Sequence, residues 1–206
     1  ASATAACARA FGVSPDSLLL TNGLDEGILT VSLALVPRDG RPSDVVVVEP
    51  GYGMYGPSAK LAGAAVRSAE PGPGLAFDLT RVLAAITPAT RFVVLSNPNN
   101  PAGEVVPQES LLTLARALPT GAFLFVDEAY ADFAGNCAIP AIATEPNLIV
   151  GRTFAKAYGL AGIRIGAVFA RPEVIARLRG AIAPFSVNVF AATALEAALN
   201  DRGYLE

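Results

Sequence analysis

Histidine and tryptophan are missing from this 206-residue chain, lysine occurs only as Lys60 and Lys156, and methionine only as Met54. Without an imidazole, Ser-His-Asp and Cys-His catalysis are excluded unless a partner chain supplies the base. The cysteines, Cys7 and Cys137, lie far apart in sequence, make no disulfide framework and, with no histidine, no zinc site. Such thiol usage fits a cytoplasmic protein. Only 16% of the residues are charged and the net charge is −3, so there is no basic footprint for nucleic acid or for an anionic membrane surface. No run reaches the ~18 uninterrupted apolar residues of a membrane-spanning helix; the greasiest window, Ile28 to Val36, is broken by Thr30 and Ser32. Small molecules are the partners these absences leave.

What is present is an interior. Hydrophobic residues make up 52% of the chain, which excludes disorder and coiled coil, and the length suits one domain. Short β-rich runs at Val45–Val48, Phe92–Leu95, Phe123–Val126, Leu148–Val150 and Ile163–Phe169 recur between helical patterns. Those helical patterns cover Asp25–Val36, Met54–Leu61, Asp78–Ile86, Pro107–Leu118, Pro172–Ala181 and Phe190–Leu199, with Asp78, Pro107 and Pro172 as start signals. The alternation predicts an α/β fold, a mostly parallel sheet covered by helices on both faces as a three-layer α/β/α sandwich. Arg38–Asp44 and Glu70–Ala76 read as exposed loops. The chain opens Ala1-Ser2-Ala3 without an initiator, so it reads as processed or as part of a longer polypeptide, its alanine-rich start the tail of a helix.

Ligands of open parallel sheets bind beyond the carboxyl ends of the strands, so the residues that follow each strand carry the information. After Phe92–Leu95 comes Ser96-Asn97-Pro98-Asn99-Asn100-Pro101-Ala102-Gly103, readable as a surface turn or as a rigid frame presenting an amide at the functional edge. After Phe123–Val126 comes Asp127-Glu128-Ala129-Tyr130. A carboxylate there either caps a helix or meets a cation or donor, and Tyr130 can aim its hydroxyl at the same ligand. After Leu148–Val150, Gly151-Arg152-Thr153-Phe154 leads into Ala155-Lys156-Ala157. Desolvation among such neighbours would lower the lysine pKa and make the amine a nucleophile; the alternative is a snorkelling surface lysine.

Arg164, between Gly162 and Gly166, suits bidentate capture of a phosphate or else an ion pair with Asp127 or another carboxylate. Thr21-Asn22-Gly23-Leu24-Asp25-Glu26 enters a helix whose first amides would hold an anion, unless Asn22 or Asp25 caps them. Gly51-Tyr52-Gly53-Met54-Tyr55-Gly56 satisfies the dinucleotide fingerprint, with Glu70 about 20 residues on. The helix between Gly56 and Gly63 is too short for the βαβ unit that the fingerprint needs, and the match is treated as accidental.

Taken in order, these motifs resemble the fold-type I pyridoxal-phosphate enzymes, most closely the histidinol-phosphate aminotransferase group of class I/II aminotransferases. The resemblance runs from Asn22-Gly23-Leu24-Asp25-Glu26 through Asn97-Pro98-Asn99-Asn100-Pro101 and Asp127-Glu128-Ala129-Tyr130 to Lys156 and Arg164. It implies pyridoxal 5'-phosphate as cofactor, with Lys156 as its Schiff-base lysine and proton carrier and Asp127 opposite the pyridine nitrogen. Asn100 and Tyr130 would bond the ring's phenolic oxygen, and Tyr52 would stack on the ring. Arg164, Thr153 and the amides of Leu24 and Asp25 would form the phosphate cup. Ala155 stands where a phosphate-contacting serine is common, Ala102 replaces a threonine, and Leu24 stands where a small residue is usual, narrowing the cup. The resemblance also implies a homodimer acting on an amino acid or amino-alcohol phosphate and a 2-oxo acid, and a family chain longer at both ends: an N-terminal arm and a C-terminal small domain carrying the substrate-carboxylate arginine. A threonine-phosphate-type decarboxylase and a non-catalytic cofactor-binding module remain open alternatives.

Overall fold

The computed structural model describes residues 2–205; Ala1 and Glu206 lie outside the described residues. Helix α1 (Ser2–Phe11) is followed by strand β1 (Leu18–Thr21) and helix α2 (Leu24–Leu35). Next come β2 (Asp44–Val48), α3 (Tyr55–Leu61), β3 (Ala65–Ala69), α4 (Leu79–Ala85) and β4 (Thr90–Ser96). The chain continues with α5 (Gln108–Ala117), β5 (Phe123–Asp127), α6 (Ala131–Ala134), β6 (Leu148–Thr153) and β7 (Gly166–Phe169), then α7 (Pro172–Arg179) and α8 (Val189–Asn200). The strands form one sheet in the order β1-β7-β6-β5-β4-β2-β3.

Alternation within the strands splits the interior into two layers. Val46, Val48, Val93, Leu95, Leu124, Val126 and Val150 face α1, α4, α5 and α8. Val45, Val47, Phe92, Val94, Phe125 and Ile149 face α2, α3 and α7. Every residue of β2 and β6 is buried, as strands covered on both faces must be. The expected three-layer, mostly parallel α/β fold is present.

Several features depart from the sequence expectation, among them strand β1, Leu18–Thr21, which was not among the strands expected and pairs with β7. Strand β3, Ala65-Val66-Arg67-Ser68-Ala69, was not anticipated because it is a largely exposed edge strand that needs no apolar run, only the open backbone of β2 beside it. The strand expected over Ile163–Phe169 begins at Gly166: Ala161–Ile163 is a 3-10 turn, and Arg164 adopts left-handed φ 61° and ψ 72°. That strand is also antiparallel to both β6 and β1, so β7 alone runs against the other six. Its connection to β6 stays at one end of the sheet without the helical crossover that a parallel neighbour requires. Asp78 caps α4 as expected, accepting from the Arg81 N–H, whereas neither Asn22 nor Asp25 caps α2. Gly23 begins that helix at φ 76° with no side-chain cap, and the Glu26 carboxylate instead accepts from the Asn22 N–H at 2.6 Å.

This topology gathers the site. Register pairs Ser96 with Asp127, Asp127 with Gly151, Thr153 with Gly166, and Gly166 with Thr21, so the ends of β4, β5 and β6 and the start of β7 meet at one edge.

Candidate functional site

At that edge lies a cavity of about 380 Å³ whose wall includes Lys156, Asp127, Tyr130, Asn100, Tyr52, Thr153, Arg164, Leu24 and Asp25. Every site residue expected from the sequence lines it, from connections distant in sequence. The floor is Asp127, the last residue of β5 and 4% exposed. Its Oδ2 accepts a 2.7 Å bond from the Tyr55 hydroxyl, and its Oδ1 accepts from the Ala129 N–H at 3.0 Å. No cation pairs with it among the described residues. Burial raises its carboxyl from 3.8 to about 6, despite the opposing pull of the Tyr55 and Ala129 bonds. It is not a helix cap: the segment after it turns through Ala129 and Tyr130 before the short α6.

On one wall, the Asn100 side-chain amide donates to the Tyr130 hydroxyl at 3.1 Å, so two polar ends from separate loops converge. Asn97 and Asn99 frame that loop: Asn97 exchanges bonds with Val106, and the Asn99 amide donates to the Pro50 carbonyl at 2.7 Å. Lys156 lies across Tyr130, its Nζ 5.6 Å from the ring centroid. The lysine is exposed in this chain, so the burial its small neighbours suggested is not found: Ala155 and Ala157 leave the amine open to the cavity rather than enclosing it.

Another part of the cavity wall is built from α2 and the β6–β7 connection. The first N–H groups of a helix have no intrahelical acceptor, and here no side chain caps them. Arg164 reaches this helix start, where its Nη2 pairs with Asp25 Oδ2 at 3.1 Å. Of the partners weighed for Arg164, the carboxylate is therefore Asp25 and not Asp127. Asp25 also accepts from the Tyr52 hydroxyl at 3.0 Å, tying the aromatic wall to the guanidinium. The approach is tight: a Cβ on Gly23 would stand 2.6 Å from Arg164 Nη2, and one on Gly166 would stand 2.7 Å from the Leu24 nitrogen. The Leu24 side chain is buried and lies toward Gly151, while Leu24 also lines the cavity. Thr153 closes β6, its hydroxyl accepting from the Ala155 N–H at 3.2 Å.

Two groups escaped the sequence reading. Tyr55 sits inside the accidental glycine motif, and its spacing from Tyr52 held no hint that its hydroxyl meets Asp127. Arg152, with a side chain 5% exposed, bonds Glu128 Oε2 at 3.1 Å and Asp132 Oδ1 at 2.5 Å. It also lies 5.2 Å from the centroid of the Phe11 ring. It thereby fastens both flanks of Tyr130 to β6. A basic residue within an otherwise apolar strand was the only available signal. The glycine motif itself ends in an α3 of seven residues and supplies Tyr52 and Tyr55 to the cavity in place of a dinucleotide loop.

Comparison with known proteins agrees with this geometry. The sequence pattern of the family described as aminotransferase class I and II matches residues 1–205. Histidinol-phosphate aminotransferase 1 of Bacillus cereus is 37% identical over 203 residues, 97% of this chain and 54% of that protein. The histidinol-phosphate aminotransferase of Oleidesulfovibrio alaskensis is 35% identical over 95% of this chain and 52% of its own length. The crystal structure of histidinol-phosphate aminotransferase from Sinorhizobium meliloti, in complex with pyridoxal-5'-phosphate, superimposes with a TM-score of 0.89 at 32% identity, covering 98% of this chain and 55% of that one. The chain belongs to the class I and II aminotransferase family. It spans about half the length of the relatives it matches.

Proposed function

We propose that this chain is the pyridoxal 5'-phosphate-binding part of an aminotransferase acting on an amino acid or amino-alcohol phosphate of the histidinol-phosphate type, with a 2-oxo acid as the amino acceptor. The observation that carries the reading is the buried Asp127 carboxylate, without a cationic partner among the described residues, on the floor of a cavity that also holds Lys156 and an uncapped helix start. The donor set fits the cofactor. A carboxylate held by two donors and still lacking a countercharge suits a protonated ring nitrogen, and free helix amides beside Arg164 suit a phosphate. Tyr52 offers a ring face, and the Asn100–Tyr130 pair offers donors to a phenolic oxygen.

When bound, pyridoxal phosphate supplies an aldehyde that condenses with amines and a pyridine ring that accepts the electron pair left when the amine-bearing carbon loses its proton. Lys156 would provide the amine for that aldehyde and, once displaced by the substrate amine, would carry the proton from the donor's Cα to the cofactor's C4′, with the reverse transfer serving the 2-oxo acid. Asp127 would hold the proton on the ring nitrogen, and Tyr130 and Asn100 would orient the ring's oxygen. No histidine is needed, because the lysine itself carries the proton. The names of the relatives support the phosphorylated amino-alcohol substrate. The family resemblance supports a homodimer, for which the exposed Phe133, Phe185, Val189 and Phe190 offer apolar surface. No helix among the described residues is long and apolar enough to cross a membrane, and the two free cysteines go with a cytoplasmic setting.

Borohydride reduction in the presence of pyridoxal phosphate, followed by peptide mapping, tests the reading. A stable label is expected on the peptide containing Lys156 and is lost in Lys156→Ala; a label on Lys60, or none, overturns it. Incubation with histidinol phosphate and a 2-oxo acid is expected to yield the amino acid of that oxo acid, and release of carbon dioxide instead would favour a decarboxylase.

A further inference from the structure

We infer that Tyr55 is a positioning residue for this site: its phenol fixes the Asp127 carboxylate for the cofactor's ring nitrogen without neutralising it. The inference deepens the pyridoxal-phosphate reading and rests on it. Tyr55 is 1% exposed, at the first turn of α3, and its hydroxyl stands 2.7 Å from Asp127 Oδ2. With the Ala129 N–H on Oδ1, each carboxylate oxygen has one fixed donor, and rotation of the group about its Cβ–Cγ bond would break both bonds. The carboxylate plane is therefore set before any ligand enters, which is the preorganisation that an electrostatic contact requires.

A phenol performs this task differently from a cation. Lysine or arginine in the same place would compensate the charge of Asp127 and reduce its demand for a protonated ring nitrogen. Burial and the neighbouring Asp127 charge hold the Tyr55 hydroxyl well above its ordinary titration range, so it remains a neutral donor throughout the physiological range. The ionisable groups lining the cavity with Asp127 are Asp25 from α2, Tyr52 and Tyr55 from the β2–α3 segment, Tyr130 from the β5–α6 segment, and Lys156 and Arg164 from the β6–β7 connection. Arg164 is engaged by Asp25, and Lys156 lies over Tyr130. The Asp25 carboxylate itself opposes ionisation of Asp127. Tyr55 is thus the side chain that holds Asp127 in its anionic form.

The same turn serves a second purpose. The Tyr55 N–H donates to the Tyr52 carbonyl at 3.0 Å, and the two rings pack edge to face at 5.8 Å. The ring proposed to stack on the cofactor and the hydroxyl proposed to fix its nitrogen contact therefore move as one unit.

Tyr55→Phe removes a single oxygen and leaves the ring packing in place. The dissociation constant for pyridoxal phosphate, read from the absorbance of the bound cofactor, is expected to rise about tenfold, the order of one hydrogen bond to a charged acceptor. Without the cofactor, the carboxyl carbon-13 titration of Asp127 is expected to move up by about one pH unit, which is the same tenfold. In an Asp127→Asn background, the substitution should change the cofactor dissociation constant less than twofold, because the partner it acts through is gone. A Tyr55→Phe protein with unshifted Asp127 titration and affinity within twofold of wild type overturns the inference and leaves the pyridoxal-phosphate reading standing. An equal loss of affinity in the Asp127→Asn background overturns it too. Failure of the wild-type protein to bind pyridoxal phosphate brings down both.

Discussion

Asp127→Asn should make the ligand-free protein more stable at neutral pH, although it removes the residue proposed to matter most for cofactor binding. The carboxyl has its pKa raised from 3.8 to about 6 by burial, so the folded state binds this proton more tightly than the unfolded state does. The stability linked to it is complete below pH 3.8 and is lost as pH rises through about 6. At about 1.4 kcal/mol per pKa unit, the ionised group costs about 3 kcal/mol above that window. Asparagine removes this cost. It also turns an amide N–H₂ toward one of the two donors, Tyr55 or Ala129, leaving a hydrogen bond of about 1 kcal/mol unmade. The net gain near pH 7.5 is about 2 kcal/mol, roughly 4–8 °C in melting temperature for a chain of this size. Near pH 4 the wild-type group is protonated in the folded state, the ionisation cost is gone and only the unmade hydrogen bond remains, so the variant should melt slightly below the wild type.

Thermal unfolding of both proteins at pH 4, 5.5 and 7.5, with urea titration as a second measure, reads the difference directly. Contributions from other ionisable groups, such as the buried Glu128, cancel between the variants. Saturating pyridoxal phosphate at pH 7.5 should reverse the order, because a ligand stabilises the fold according to its affinity and the carboxylate is the better partner for a protonated ring nitrogen. Equal melting at pH 7.5, or a gap that does not change with pH, would refute the assignment of Asp127 as an uncompensated buried charge.

Two further outcomes concern the helix start proposed to hold the phosphate. Gly166→Ala places a methyl 2.7 Å from the Leu24 nitrogen and 2.8 Å from the Gly23 carbonyl carbon, both backbone atoms, so α2 must shift. A loss of about 1–3 kcal/mol in urea unfolding is expected, together with weakened binding of pyridoxal phosphate; unchanged affinity would mean that the helix start is not the phosphate site. At Arg164, glycine and alanine remove the same guanidinium, but only glycine accepts φ 61° freely. Arg164→Gly should therefore unfold at higher urea than Arg164→Ala, by about 1 kcal/mol in stability, while both lose cofactor affinity alike.

The sequence alone determined the layers and the cast. Four short all-apolar runs rich in β-branched residues read as strands buried on both faces, and two-sided burial puts helices on both sides of the sheet. Because such sheets expose their chemistry where strands end, reading the residues after each run picked out Asp127, Lys156, Asn100 and Arg164, which the fold gathers around one cavity. The scarcity of lysine and the absence of histidine narrowed the chemistry further, since composition limits which groups can carry a proton.

What remained needed three dimensions, because it depends on distances between segments that the chain order does not encode. Only folding brings Tyr55 to Asp127, 72 residues away, or Arg164 to Asp25, 139 residues away. Strand β3 was invisible because an edge strand is selected by its neighbour's unpaired backbone and not by its own side chains. The reversal of β7 was hidden for a related reason: direction is decided by whether the connection crosses the sheet, and local sequence periodicity is the same for a strand run either way. The openness of Lys156, too, is a property of the wall around it, which small neighbours in sequence could not reveal.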